Sequence, residues 1–151
     1  MDAKDKEILH ILQQYGRISL SELANRVNLS DTPCVRRVKK LEQEGIIASY
    51  NAVLNDKKIG LNVLVYAFVK LKANTEDFGQ QFEQAMFELD NIIECCTISG
   101  SHDYLLKIVA ASLEDYELFV KKSLGNVNTI AAIESTVVLK QTFSKNTLPL
   151  K

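Results

Sequence analysis

The sequence lacks the features that define several large classes of protein. It has three cysteines, Cys34, Cys95 and Cys96, and none of them forms a C-x-x-C pair. This argues against a disulfide framework and against a zinc site, and predicts buried thiols instead. No apolar run is long enough to cross a bilayer, and the first residues, MDAKDKE, do not resemble a signal peptide. We therefore expect a soluble, cytoplasmic protein with no membrane partner and no resident cofactor.

An excess of positive charge is also lacking. The formal net charge is −1, which at first sight argues against nucleic-acid binding. Residues 1–50 nevertheless carry eight Lys or Arg against seven Asp or Glu, whereas residues 51–151 carry ten against twelve. Because the N-terminal positive charges are concentrated in one stretch, a local basic patch is compatible with the overall balance.

No catalytic motif is recognisable. Ser101, His102 and Asp103 contain the residue types of a catalytic triad, but three consecutive residues cannot stack as nucleophile, base and orienting acid. Residues 73–77, after the first predicted strand, lack the arginine and glycines that a phosphohydrolase would need there, and no phosphate-binding motif occurs elsewhere. We predict that the protein is not an enzyme.

Three short helices are predicted at the N-terminus. Apolar residues at helical spacing, with Tyr15 as the last, indicate a first helix over 3–15 that is capped by Asp2. A second such stripe, which begins with Leu20, indicates a helix over about 19–27, where Ser19 and Glu22 form a capping box. A third helix lies between Ser30, its N-cap, and Gly45, its C-terminal stop. The second and third are joined only by Asn28 and Leu29, which is typical of a helix-turn-helix.

The third helix has the pattern of a DNA-recognition helix. Cys34, Val38 and Leu41 form its core stripe, and the basic side chains lie off that stripe. We expect helix two to brace the DNA backbone and helix three to contact base edges and phosphates. The predicted DNA-binding residues are Ser30, Asp31, Thr32, Pro33, Arg36, Arg37, Lys39 and Lys40. The pattern allows Cys34 to lie either in the helical core or on the side of the helix that faces the DNA groove. The alternative is a three-helix bundle with an incidental basic face.

The chain after Gly45 changes pattern. The β-branched stretch 46–54 predicts two short strands, a small wing, and the polar segment that follows marks a domain boundary. We assign 1–55 to the helix-turn-helix domain, 56–62 to a linker and 63–151 to a second domain. In that domain strands are predicted over 61–71, 92–98, 104–111 and 130–143, with helices around 78–89 and 113–124. This β-α-β-β-α-β order is the ferredoxin-like arrangement, so the fold class is α+β, a winged helix-turn-helix followed by a ferredoxin-like domain.

Both faces of the predicted sheet are apolar. In the first strand, Val63, Val65, Ala67 and Val69 alternate with Leu64, Tyr66 and Phe68. Helices cover only one face of a ferredoxin-like sheet. Covering the other face requires a second copy, which predicts a homodimer built sheet to sheet. Such a dimer also presents two recognition helices to two half-sites of double-stranded DNA.

Two separate motifs resemble one family. The segment from Ser30 to Glu42, followed by Gly45-Ile46-Ile47, resembles the helix-turn-helix signature of the Lrp/AsnC (feast/famine) transcription regulators. The stretch Ser99–Leu106 is similar to that family's glycine-x-x-aspartate turn. The resemblance covers essentially the whole chain. It implies a prokaryotic, nucleoid-associated regulator that dimerises and commonly assembles into octamers, and that responds to a small amino-acid effector.

The resemblance also implies an effector site. By position its residues are Gly100, Ser101, His102 and Asp103, with Glu134, Ser135 and Thr136 at the last strand. A carboxylate would hold the ammonium group of an amino acid, and N–H or hydroxyl groups its carboxylate. The alternative is a purely structural role, in which Gly100 supplies a positive φ and Asp103 caps a hairpin. The apolar start of the last strand, 131–133, departs from the family's threonine-rich pattern and favours a leucine- or methionine-like effector. The alternative function is a ligand-independent DNA-organising protein whose second domain serves only oligomerisation.

Overall fold

A computed structural model describes the whole chain, Met1–Lys151, as two compact units. The first comprises Met1–Val53 together with Thr142–Lys151, and the second comprises Leu54–Gln141. The division after the helix-turn-helix is close to the expected boundary at 55. The second unit, however, does not extend to residue 151 as expected, because the last ten residues belong to the first unit. No helix has the length and apolar character needed to cross a membrane.

The first unit contains three helices, α1 (Ala3–Gln14), α2 (Leu20–Arg26) and α3 (Asp31–Gln43). Their apolar stripes meet in one core, formed by Ile8, Leu9, Leu23, Ala24, Val27, Cys34, Val38 and Leu41. Cys34 is completely buried there, so it is a core residue and does not face the groove. Tyr15 and Leu20, expected in the helical stripes, are instead 50% and 43% exposed.

Local hydrogen bonds set the helix ends. Asp2 caps α1 with a complete capping box, and the Ser19 hydroxyl accepts from the N–H of Glu22 at the start of α2. Only this half of the expected α2 box forms, because the Glu22 carboxylate pairs with Arg26. Asn28, at φ +53°, occupies the left-handed position of the turn before α3, and Gly45, at φ +69°, does the same after it. The predicted stop at Gly45 is confirmed.

The predicted wing strands do not form. Residues 46–55 contain no strand, and Ile47 is the residue of this segment that packs against the helical core. A lone two-stranded ribbon is marginally stable in water, and no third strand is available here. The C-terminal tail adds to the unit instead. The Gln13 side chain exchanges two hydrogen bonds with the backbone of Leu148, and Leu150 packs against the core.

The second unit is ferredoxin-like. Its strands are β1 (Val63–Leu71), β2 (Ile92–Thr97), β3 (Tyr104–Ala110) and β4 (Ile130–Val137), and its helices are α4 (Glu76–Phe87) and α5 (Leu113–Lys122). The sheet order is β2-β3-β1-β4, and every neighbouring pair is antiparallel. One expectation was wrong in detail, because the last strand ends at Val137 and not near residue 143. Within the expected linker, Asp56–Ile59 form a 3₁₀ helix.

The two faces of the sheet differ as predicted. Val65, Ala67 and Val69 are completely buried on the helix-covered face. They pack with Phe82 and Met86 of α4 and with residues of β3 and α5. Leu64, Tyr66 and Phe68 alternate with them and are only half-buried on the other side, which we call the open face. The sheet therefore has one covered side and one apolar side that nothing in this unit covers.

The two neighbouring cysteines of β2 are exposed, which corrects the expectation of buried thiols. The register places Cys95 opposite Leu106 of the covered face and Cys96 opposite Leu105 of the open face, so the two side chains point to opposite sides of the sheet. The reason for their exposure is that β2 is an edge strand with a neighbour on one side only.

Candidate functional site

The outward face of α3 is basic. At 100° per residue, Thr32, Arg36 and Lys39 lie opposite the core stripe, with Lys40 beside them, and all four are exposed. Arg36 and Lys39 have no carboxylate within ion-pair distance, and Lys40 has only a loose contact of 3.7 Å with Glu44. Their positive charges are therefore directed to solvent and available to an anionic partner.

The start of α3 is exposed but differs from the expected cap. Ser30 occupies the N-cap position, yet its side chain makes no capping hydrogen bond. Asp31 accepts a hydrogen bond of 3.2 Å from the Ser21 hydroxyl of α2. Pro33 lies in the first turn, where a missing N–H has no intrahelical acceptor to lose. The hydroxyl of Ser30 and that of Thr32 are thus free at the end of the helix that would approach a groove.

Arg37 lies apart from the other basic residues. It is on the flank of α3 beside the start of α1, and its Nη1 donates to Asp2 Oδ2 at 2.6 Å and to Asp5 Oδ1 at 2.8 Å. The backbone N–H of Asp5 and, next, the Arg37 guanidinium lower the pKa of Asp2 from 3.8 to about 2. The same ion pairs raise the pKa of Arg37. A DNA contact by Arg37 stays a prediction, and its two carboxylate partners argue against it.

Two features of this unit were not predicted, and only the first had a signal in the sequence. Gln43 is exposed on the same side of α3 as Arg36, and counting two further turns along the helix would have found it. Lys4 of α1 donates to the carbonyl of Val27, the C-cap residue of α2, at 2.8 Å. Nothing in the local pattern indicates this second contact, because it joins residues that are distant in sequence.

The predicted effector residues do not form one cluster within this chain. Gly100 has φ +114°, so the turn before β3 uses a conformation that side chains rarely adopt. His102 lies at the open face, with its Nε2 3.4 Å from Glu134 and its ring centroid 5.5 Å from that of Phe68. Thr136 is paired with Tyr66 and therefore shares this face. Phe68 had not been predicted as a site residue, although the open-face pattern already contained it.

Asp103 and Ser135 point elsewhere. The Asp103 carboxylate accepts from the backbone N–H of Leu71 at 2.8 Å. The Ser135 hydroxyl is 2.6 Å from the Tyr116 hydroxyl of α5, on the covered side of the sheet. Both side chains thus have structural partners, whereas His102, Glu134 and Thr136 present their polar groups on the open face.

A cleft of about 490 Å³ lies on the covered side, beside Asp103. It is lined in part by Gly79 and Glu83 of α4 and by Tyr104 of β3. The Tyr104 hydroxyl donates to Glu83 at 2.7 Å, and burial, followed by this carboxylate, raises the pKa of Tyr104 to about 12. The tyrosine therefore remains a neutral hydrogen-bond donor at physiological pH.

Comparison with known proteins matches both units. A family model for the winged helix-turn-helix DNA-binding domain matches residues 1–48, and one for the Lrp/AsnC ligand binding domain matches residues 64–148. The leucine-responsive regulatory protein of Escherichia coli strain K12 is 36% identical over 151 residues, which is 100% of this chain and 92% of that protein. The protein of the same name from Klebsiella pneumoniae is also 36% identical over the same lengths.

Solved structures agree over the whole chain. A transcriptional regulator from Neisseria meningitidis, in complex with L-Met, has a TM-score of 0.94 and 30% identity, covering 99% of this chain and 96% of that one. An AsnC family transcriptional regulator from Agrobacterium tumefaciens has the same TM-score and identity, covering 99% and 97%. These relatives are regulators, which confirms that the protein is not an enzyme. The chain belongs to the Lrp/AsnC family of transcriptional regulators.

Proposed function

We propose that the protein binds operator DNA through the outward face of α3 and that a leucine- or methionine-like amino acid controls this binding. The observation that carries the first part is the set of exposed, unpaired cations on α3, Arg36 and Lys39 above all. Such a helix fits the major groove, with its N-terminal residues closest to the base edges. Because its partner is DNA, we place the protein on the nucleoid in the cytoplasm of a prokaryotic cell.

Arginine and lysine variants test this reading. A labelled duplex enriched from a random pool on the wild-type protein serves as the probe, with a scrambled duplex beside it. Arg36→Ala should cost about 1–3 kcal/mol on the enriched duplex and reduce its advantage over the scrambled one, if Arg36 reads a base. Lys40→Ala should weaken binding to both duplexes equally. It should also reduce the slope of log affinity against log salt concentration by about one, as the loss of a phosphate contact does. Lys122→Ala, an exposed lysine of α5, is the control. Equal weakening of both duplexes by Arg36→Ala would contradict base reading.

We also propose that two copies associate through the open face. Leu64, Tyr66, Phe68 and Leu105 form an apolar surface there, and a second copy related by a two-fold axis would cover it. Sedimentation velocity of the wild-type protein should give a dimer or the octamer that the family resemblance implies. Phe68→Glu should shift the population to monomers, whereas Leu118→Glu, on the exposed side of α5, should not. An unchanged dimer in Phe68→Glu would contradict this interface.

The effector part of the proposal is supported by the match to a ligand binding domain and by the relative described with L-Met. On this chain we assign the amino acid to the Gly100–His102 turn, Glu134 and Thr136, with the Glu134 carboxylate holding the ammonium group. In this assignment Asp103 and Ser135 stabilise the fold through their hydrogen bonds and do not contact the ligand. Because neither the turn nor β4 encloses a ligand in one copy, we expect the site to be completed in the assembled protein.

A thermal-shift panel of the twenty amino acids tests the effector. At a hundred times its dissociation constant a ligand adds about 2.7 kcal/mol to stability, so one chemical group of amino acids should raise the melting temperature. Glu134→Gln should abolish that shift, and Glu114→Gln, on α5, should keep it. If no amino acid shifts the melting temperature while DNA binding persists, the alternative holds, a ligand-independent DNA-organising protein whose second unit only oligomerises. A lysine- or asparagine-selective response would contradict the apolar preference.

A further inference from the structure

A closed hydrogen-bond network joins the recognition helix to the start of α1. Asp2 Oδ1 accepts from the Asp5 N–H at 2.9 Å, and Asp5 Oδ2 accepts from the Asp2 N–H at 2.8 Å, which completes the capping box of α1. The remaining oxygen of each carboxylate, Asp2 Oδ2 and Asp5 Oδ1, accepts from Nη1 of Arg37. All four carboxylate oxygens therefore have a partner, and both hydrogens of Nη1 are used.

The position of Arg37 on its helix fits an intramolecular role. Arg37 lies about 100° around α3 from Arg36, on the side that turns towards α1. Its side chain is 30% exposed and that of Asp5 only 14%, so this contact is better shielded from solvent than the surface ion pairs elsewhere on these helices. Shielded, hydrogen-bonded pairs are stronger than exposed ones, and Asp5 would be left without its charge partner if Arg37 moved away.

The capping box also makes the attachment point rigid. A long arginine anchored to a flexible terminus would restrict α3 little, but here each carboxylate accepts a backbone N–H of the other residue across the N-terminal cap of α1. Lys4, in the first turn of α1, holds the carbonyl of Val27, the C-cap residue of α2. The first turn of α1 thus contacts both helices of the helix-turn-helix by polar bonds, in addition to the apolar core.

We propose that Arg37 is a positioning residue for DNA recognition. Through Asp2 and Asp5 it fixes the rotation of α3 against α1, so that Arg36 and its basic neighbours face the DNA, and it does not neutralise a phosphate itself. This inference rests on the proposed reading of DNA by α3. The competing role is a phosphate contact, for which Arg37 would leave the two carboxylates.

A double-mutant cycle distinguishes the two roles. Arg37→Ala is measured in the wild-type background and in an Asp2→Asn, Asp5→Asn background, which removes both charges while Asn keeps the N-cap. Affinity for the enriched duplex is followed by fluorescence anisotropy over a series of salt concentrations. We expect Arg37→Ala to weaken binding by about fivefold with an unchanged salt slope, and to have no further effect in the Asn background. Arg36→Ala is run in parallel.

Each other outcome overturns the proposal. A salt slope lower by about one, with an undiminished loss in the Asn background, would identify a phosphate contact. An unchanged affinity for the duplex with a lowered melting temperature would restrict Arg37 to stability. If neither Arg36→Ala nor Arg37→Ala changes the DNA affinity, the proposed DNA recognition by α3 is contradicted. If only Arg36→Ala lowers the affinity, DNA recognition by α3 holds and the proposed role of Arg37 is contradicted. Circular dichroism on every variant verifies that the helices are retained.

Discussion

Asp103→Ala should destabilise the second unit even though no ligand is present. The Asp103 carboxylate accepts from the Leu71 N–H at 2.8 Å, just beyond Val69 and Tyr104, the last paired residues of β1 and β3. Past that pair β3 offers no backbone carbonyl to this N–H, and Leu71 is only 7% exposed. The side chain of Asp103 therefore replaces a missing ladder hydrogen bond.

The magnitude follows from the kind of bond that is lost. A hydrogen bond to a charged group contributes about 1.5–3 kcal/mol, and removing the acceptor leaves a poorly hydrated donor without a partner. We therefore expect a loss of about 2 kcal/mol. In a unit of 60–100 residues this lowers the melting temperature by roughly 8–16 °C. Asp103→Asn keeps an acceptor oxygen at the same position, so this variant should lose much less stability than Asp103→Ala.

Calorimetric melting of the ligand-free protein measures this effect. Asp90→Ala, an exposed aspartate after α4, is the control and should change stability by less than about 0.5 kcal/mol. If Asp103→Ala melts like the control, the hydrogen bond to Leu71 is not structural, and a ligand contact becomes the better explanation of this residue. A loss of the thermal shift with amino acids in a stable Asp103→Asn variant would support that same conclusion.

Three further predictions concern single side chains. A methyl group at Gly79 would lie 3.1 Å from the hydroxyl of buried Tyr104, so Gly79→Ala should lower the melting temperature although alanine favours helices. By NMR the Asp2 carboxyl should titrate at about 2, so its stabilising effect is lost as the pH falls from 3.8 towards that value. In Arg37→Ala its pKa should rise only part of the way, because the bond from the capping box remains. Leu150→Ala should cost about 1 kcal/mol and speed hydrogen exchange in α1, since this half-buried residue packs on the helical core.

Features set by neighbouring residues were predictable from the sequence. The Asp2 cap, the stop at Gly45 and the turn at Asn28 depend on contacts within a few residues, and all three are present. The alternation along β1 identified its covered and open faces for the same reason. Apolar periodicity alone, however, also placed Leu20 in the core, where it is exposed, because a stripe shows direction but not whether a neighbour reaches it.

Features set by distant partners could not be predicted in this way. The β-branched stretch 46–54 looks like strands, but a strand requires a neighbour to pair with, and the fold of this unit provides none. The side chains of Asp103 and Ser135 fit an amino-acid site by type. Their structural partners, Leu71 and Tyr116, become visible only when the strands and helices are assembled.

The net charge of −1 is compatible with DNA binding because the charges are unevenly distributed over the surface. Most carboxylates of α1 and α2 are held on the flanks of the helices, where Glu7 pairs with Lys4 and Glu22 pairs with Arg26. On α3, Glu42 accepts from the Tyr50 hydroxyl, away from the outward face. Arg36 has no such partner and points outward. The field that a DNA backbone meets is therefore set by which charges lack a partner on the approaching face, and the total charge of the chain says little about it.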